Sequence, residues 1–170
     1  ALDLFAASGL QFSVSSSFSK SLSLYGERVG ALTIVTAGKD ESARVLSQVK
    51  RVIRTNYSNP PTHGGAVVAA VLSSPELRRM WEDELAGMRD RIRAMRASLV
   101  EKLKTAGASN FDFINVQRGM FSYTGLTVAQ VEKMRAEYGI YAVGTGRICV
   151  AALNTRNIDY VATAIAAVLK

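Results

Sequence analysis

Apolar and polar positions fall in blocks of changing period, and each block predicts an element. Residues Ala1–Ser8 are expected to end a helix that Gly9 stops. From Leu10 to Ser15 apolar and polar residues alternate, which puts Leu10, Phe12 and Val14 on one face of a strand. A stretch of small polar residues, Ser15–Gly26, predicts a loop. The β-branched run Val29–Thr36 predicts a buried strand. Val45, Leu46, Val49, Val52 and Ile53 then recur at helical spacing within Asp40–Asn56, and Asn59-Pro60-Pro61 breaks that helix. The Ala/Val-rich His63–Leu72 predicts a short buried helix.

The strongest periodicity follows. Ser74-Pro75 supplies a cap and a first-turn proline. Leu77, Trp81, Leu85, Met88, Ile92, Met95, Leu99 and Leu103 then return every three or four residues, until Gly107. A helix of about 30 residues is about 45 Å long. That exceeds what one small domain needs, so the helix is expected to link two packing units, 1–87 and 88–170. Beyond it, Phe111–Val116 and Met120–Thr124 predict strands joined by a turn at Gln117-Arg118-Gly119. Thr127–Tyr138 predicts a helix with a Thr127/Gln130 capping box and Gly139 at its end. Ile140–Val143 and Arg147–Ala151 predict short strands around Gly144-Thr145-Gly146, and Ile158–Leu169 a closing amphipathic helix.

Composition narrows the class. Hydrophobic residues make up 48% of the 170, enough for a sizeable core. No apolar run approaches the ~20 residues of a membrane span, so no membrane partner is expected. The first residues lack the basic start of a signal peptide and lack an initiator Met. The single cysteine, Cys149, cannot form an internal disulfide, which fits a reducing cytoplasm. The net charge is +7, with its densest group at Arg89, Arg91, Arg93 and Arg96. Interleaved acids make a solvated helix face the better reading than a nucleic-acid stripe. The only histidine, His63, fits a helix start, and no cluster has metal-ligand spacing.

One loop carries candidate chemistry. Ser17 and Lys20 follow the first strand, and Arg28 comes eight residues after Lys20. A lysine that forms a Schiff base must be partly deprotonated, which a desolvated or cationic setting favours. A phosphorylated cofactor needs a guanidinium for bidentate pairing and hydroxyl donors. On residue chemistry alone a surface loop remains the better reading. The spacing Ser17-x-x-Lys20 also fits the S-x-x-K of acyl-serine enzymes, but their S-D-N and K-T-G elements are absent.

The run Ser16-Ser17-Phe18-Ser19-Lys20-Ser21-Leu22-Ser23-Leu24-Tyr25-Gly26-Glu27-Arg28-Val29-Gly30 resembles the cofactor-lysine segment of aspartate and aromatic aminotransferases, which depend on pyridoxal 5'-phosphate (PLP). Relatives commonly have Asn and Gly where Ser21 and Ser23 stand. Three further stretches match in the same order: Ile53–Pro61, Gly119–Leu126 and Tyr141–Ala151. The resemblance covers essentially the whole chain. It implies an α/β chain of PLP-dependent transferase fold type I, a partial large domain joined by the long helix to a small α/β domain. It also implies that Lys20 bonds the cofactor and moves the substrate α-proton, and that Ser17 and Arg28 bind the cofactor phosphate.

The same resemblance gives Arg147 the substrate α-carboxylate and places Phe121 near it. Read from residues alone, Arg147 favours a salt-bridged strand end. Arg54 matches an arginine that reaches across a dimer interface to the side-chain carboxylate of a dicarboxylic substrate, with Tyr57 and Ser58 beside it. Without the resemblance Arg54 is a helix-end cation. The implied partners are amino acid and 2-oxo acid substrates such as 2-oxoglutarate, and a second copy in a homodimer with shared active sites. The Phe121–Gly125 and Cys149–Asn154 stretches look nearer to the aromatic members. The family also places an Asp, a Tyr, an Asn, a Trp and a phosphate loop upstream of the lysine, whereas this chain starts nineteen residues before Lys20. A fragment of a full enzyme is therefore expected, with little or no transaminase activity of its own. A non-catalytic dimerisation remnant is the rival.

Overall fold

A computed structural model describes residues 2–170. In chain order the elements are α1 (Leu2–Ala7), β1 (Phe12–Ser17), β2 (Gly30–Val35), α2 (Lys39–Asn56), α3 (His63–Ser73) and α4 (Pro75–Thr105). There follow α5 (Phe113–Val116), β3 (Phe121–Tyr123), α6 (Val128–Tyr138), β4 (Arg147–Cys149), a 3₁₀ turn (Val150–Ala152) and α7 (Ile158–Val168). Contacts divide the chain into two compact units, one ending at Glu82 and the other spanning Asp83–Lys170. No helix of the described residues is long and apolar enough to cross a membrane.

In the first unit β1 and β2 pair antiparallel, from Phe12 opposite Val35 to Ser17 opposite Gly30. The alternation of β1 appears as half-buried Phe12 and Val14 between exposed neighbours. Gly30 is dictated by crowding: a Cβ there would lie 2.6 Å from the Ser16 carbonyl oxygen. The expectation of a buried strand at Val29–Thr36 fails. Leu32 and Ile34 of β2 are 57% and 37% exposed, because β1 is its sole partner and the described residues lay no covering layer over that face. In α2 the stripe Val45, Val49, Ile53 is half-buried, while Leu46 and Val52 stay exposed. Likewise α3 buries only Gly64 and Val68, so it is not the buried helix its composition predicts. His63 begins α3, the role its sequence context suggests.

The second unit holds the core. Leu99, Val100 and Leu103 of α4 pack with Val131 and Met134 of α6, Ile148 of β4, and Ile158, Ile165 and Val168 of α7. Fully burying each such side chain contributes roughly 1.5–3 kcal/mol. The capping box of α6 forms as its sequence predicts: Thr127 accepts from the Gln130 N–H, and the Gln130 side chain accepts from the Thr127 N–H. Gly139 closes the helix at φ +63°, in the left-handed region that glycine tolerates.

Two predicted strands are not strands. Phe111–Val116 is rich in aromatic and branched residues, yet Phe113–Val116 is a helical turn. Burial there follows a step of three: Phe111 and Ile114 are inside, and the Ile114 N–H donates to the Phe111 carbonyl. Ile140–Val143 is irregular, because β3 and β4 form a two-stranded sheet. Of that segment, Val143 makes one ladder-like bond, its N–H donating to the Arg147 carbonyl.

Candidate active site

The Lys20 loop, residues 18–29, is closed at its neck. The β1–β2 ladder ends at Ser17 and Gly30, and the Phe18 N–H donates to the Val29 carbonyl at 3.1 Å. Inside the loop the Leu22 N–H donates to the Phe18 carbonyl, winding a single turn around Lys20. From α4 the Trp81 indole N–H donates to the Ser21 carbonyl at 2.6 Å and fixes that turn from outside. The first turn of α3 packs on the other limb: a Cβ on Gly64 would sit 2.2 Å from Val29 Cγ2.

Two predicted groups lie in this loop, and a third, Ser17, stands at its neck. The exposed Lys20 places its ammonium 5.2 Å from the Tyr25 ring centroid, a cation–π contact. Arg28 Nη1 donates to the Tyr25 carbonyl at 3.0 Å, and its other N–H groups have no partner among the described residues. Tyr25 thus touches Lys20 with its ring and Arg28 with its backbone. Nothing in residue type marked it; only the fold around the loop reveals it. Ser17 Oγ accepts from the Ser19 N–H at 3.2 Å and donates to the buried Ser19 hydroxyl at 3.1 Å. Ser17 closes β1 rather than opening a helix, so the helix start that the S-x-x-K reading needs is missing.

The backbone there is strained. Ser23 and Arg28 hold φ +55° and +54°, a region costing non-glycine residues about 1 kcal/mol or more. Such outliers concentrate where structure holds a group for use. An amine and an under-used guanidinium on one clamped loop, with a hydroxyl at its neck, form a donor set that fits a phosphorylated aldehyde.

Arg54 lies in the last turn of α2, where a cation favours the helix dipole. It donates to the Ser58 hydroxyl, and Ser58 is itself at φ +69°. The N–H groups of Tyr57 and Ser58 both donate to the Ile53 carbonyl and close the helix.

In the second unit β3 and β4 pair antiparallel, Phe121 opposite Cys149 and Tyr123 opposite Arg147. Period-two alternation buries Ser122 and Ile148 and exposes Phe121, Tyr123 and Arg147 on the other face. The Arg147 guanidinium carbon lies 4.9 Å from the Phe121 ring centroid. Stacking on an aromatic face leaves the edge N–H groups of a guanidinium open for a carboxylate. Gly146 precedes Arg147 at φ +81°, and a Cβ there would lie 2.8 Å from the Leu126 carbonyl oxygen.

The arginine group of α4 departs from a plain solvated face. Arg91 donates from Nη1 to the Leu153 carbonyl and from Nη2 to the Ala151 carbonyl, clasping the chain beyond β4. Arg96 is 4% exposed. Its Nε donates to Ser122 Oγ at 3.2 Å and its Nη2 to the Gly119 carbonyl at 2.7 Å. Burial, and after it the charge of Arg118, lowers its pKa from the ordinary guanidinium value. The sequence signal for both was present but ambiguous: each arginine stands one residue before an apolar or small position of the long helix.

Comparison with known proteins gives the family. The sequence model of the family described as aminotransferase class I and II matches residues 3–165, so the chain belongs to that family. The aspartate aminotransferase of Pseudomonas aeruginosa is 68% identical over 99% of this chain and 43% of its own length. The aromatic-amino-acid aminotransferase of Escherichia coli is 51% identical with the same coverage. Among solved structures, the aromatic-amino-acid aminotransferase of Burkholderia pseudomallei, covalently bound to pyridoxal phosphate, superposes with a TM-score of 0.95 at 75% identity. It too is covered over 99% of this chain and 43% of that one. The fold is therefore the mixed α/β fold of PLP-dependent aminotransferases, and the chain spans less than half the length of the relatives it matches.

Proposed function

We propose that the protein carrying this chain is a PLP-dependent transaminase that moves an amino group between aromatic or dicarboxylic amino acids and a 2-oxo acid such as 2-oxoglutarate. The observation that carries this reading is the clamped loop 18–29, which carries Lys20 and Arg28 with Ser17 at its neck. Family membership supports it, as do relatives named for both aspartate and aromatic substrates. In this reading residues 1–87 belong to the large cofactor-binding domain and 88–170 form the small domain. The assembly is a cytoplasmic homodimer in which Arg54 serves the neighbouring subunit's site.

PLP, when bound, supplies an electron sink for the electrons left on the substrate α carbon. Lys20 would hold the cofactor through its amine, and its Nζ, once freed by the incoming substrate amine, would take the α-proton and hand it on to the cofactor. Arg28 grips the phosphate through the N–H groups that Tyr25 does not occupy, with the Ser17 hydroxyl beside it. Arg147, oriented by the Phe121 ring, pairs with the α-carboxylate and fixes which bond at the α carbon faces the reacting groups. Arg54 pairs with the second carboxylate of a dicarboxylic substrate. Donor and acceptor amino and oxo acids use the site in alternation, which gives ping-pong kinetics.

The test is an intact mass after incubation with PLP and borohydride reduction. A single pyridoxyl adduct that maps to Lys20 is the expected result. An adduct on another lysine, or none on a protein that transaminates, overturns the assignment.

A further inference from the structure

We propose that Arg96 is a positioning residue for substrate carboxylate, acting from behind the strand that displays the binding face; this rests on the transaminase reading above. Arg96 is nearly fully buried, yet its hydrogen-bond partners, Ser122 Oγ and the Gly119 carbonyl, are neutral oxygens. A buried guanidinium without a carboxylate is expensive to keep, and an apolar side chain would fill the same space more cheaply.

Its partners say what the charge does there. Ser122 is the central residue of β3, and Phe121 on one side of it faces the opposite way. Gly119 is the φ +85° residue of the turn that feeds β3. One planar fork therefore ties the turn and the strand to the same helix, and fixes both where Phe121 begins. Phe121 in turn carries the Arg147 guanidinium on its ring. Sliding or tilting β3 by a fraction of a residue would move the ring from beneath Arg147 while leaving the core of α4, α6 and α7 intact. Arg96 is thus linked to Arg147 through Ser122 and Phe121, without touching the substrate.

The test measures steady-state kinetics of the PLP-loaded enzyme with Arg96→Lys, Arg96→Met, Ser122→Ala and Arg147→Lys. Arg96→Met is expected to raise the KM for the amino acid roughly 10-fold or more with kcat changed far less, the pattern of lost binding of ground and transition state alike. Arg96→Lys, which keeps the charge but not the fork, should recover part of that loss. Ser122→Ala should raise KM about 3-fold, and it decides the matter if neither Arg96 variant folds. An unchanged KM in Ser122→Ala and in every folded Arg96 variant overturns the proposal. So does a loss confined to kcat. Arg147→Lys separates the two levels: if it leaves KM unchanged, the underlying assignment of Arg147 fails, and if it raises KM while the others do not, Arg96 alone is misassigned.

Discussion

The Thr124 hydroxyl donates to the Gly146 carbonyl at 2.7 Å, one residue before the arginine that opens β4. The Thr124 N–H donates to the same oxygen at 3.0 Å, and the Thr124 hydroxyl also accepts from the Leu126 N–H. These bonds bring the backbone at Gly146 against Leu126, where no Cβ fits. Gly146→Ala should therefore cost about 3 kcal/mol, the sum of left-handed strain and a forced clash. Thr124→Val should cost about 1–2 kcal/mol, since it orphans a buried N–H. Urea unfolding of both variants checks this; a Gly146→Ala protein as stable as wild type would contradict the close approach.

Lys20→Ala removes the amine but none of the phosphate contacts proposed for Ser17 and Arg28. The variant is expected to bind PLP reversibly, resist borohydride labelling and lose turnover. Absorbance titration with the cofactor and a standard transaminase assay check the two halves. Turnover near that of wild type would end the case for Lys20.

Arg54 should matter far more for dicarboxylic than for aromatic substrates. A charge-assisted pair contributes about 1.5–3 kcal/mol, or roughly 10- to 100-fold in kcat/KM. Arg54→Ala is expected to lower kcat/KM for aspartate by about that factor and for phenylalanine by only a few-fold. Equal losses for the two amino acids would remove its dicarboxylate role.

The contact between α3 and the Lys20 loop can be tested by size alone. In Gly64→Ala the new methyl meets Val29, a stiff β-branched side chain, and Glu27 Cβ at 2.9 Å. The expected outcome is about 1–3 kcal/mol of destabilisation and weaker PLP binding, since the displaced limb includes Arg28. Adding Val29→Ala should restore much of both. No recovery in the double variant would mean that the crowding lies elsewhere.

The long helix, the α6 capping box and the closing helix were legible because local signals and tertiary burial agree in them. Thr127 and Gln130 make the bonds their spacing predicts, and Leu99 and Leu103 are wholly buried. Phe111–Val116 misled because six residues cannot distinguish a period of two from a step of three, and the core chose Phe111 and Ile114. β2 and α3 misled differently. Their apolar residues call for cover, but the described residues leave Leu32 and Leu72 exposed. Of the candidate site, residue types and order could be read from the chain, whereas spatial relations could not. That Tyr25 joins Lys20 to Arg28, or that Arg96 reaches Ser122, depends on contacts between residues whose chemistry is ordinary in isolation.

Ser17 and Gly30 are strand partners, so everything between them begins and ends at the same place. The separation of Lys20 from Arg28 is then set within a twelve-residue loop, braced from outside at Ser21 by Trp81 and at Val29 by Gly64. Such a loop is a transplantable cassette. Set on another antiparallel pair, with an indole to hold Ser21 and a glycine-bearing helix to seat Val29, it would carry its own spacing of amine and guanidinium into a new scaffold.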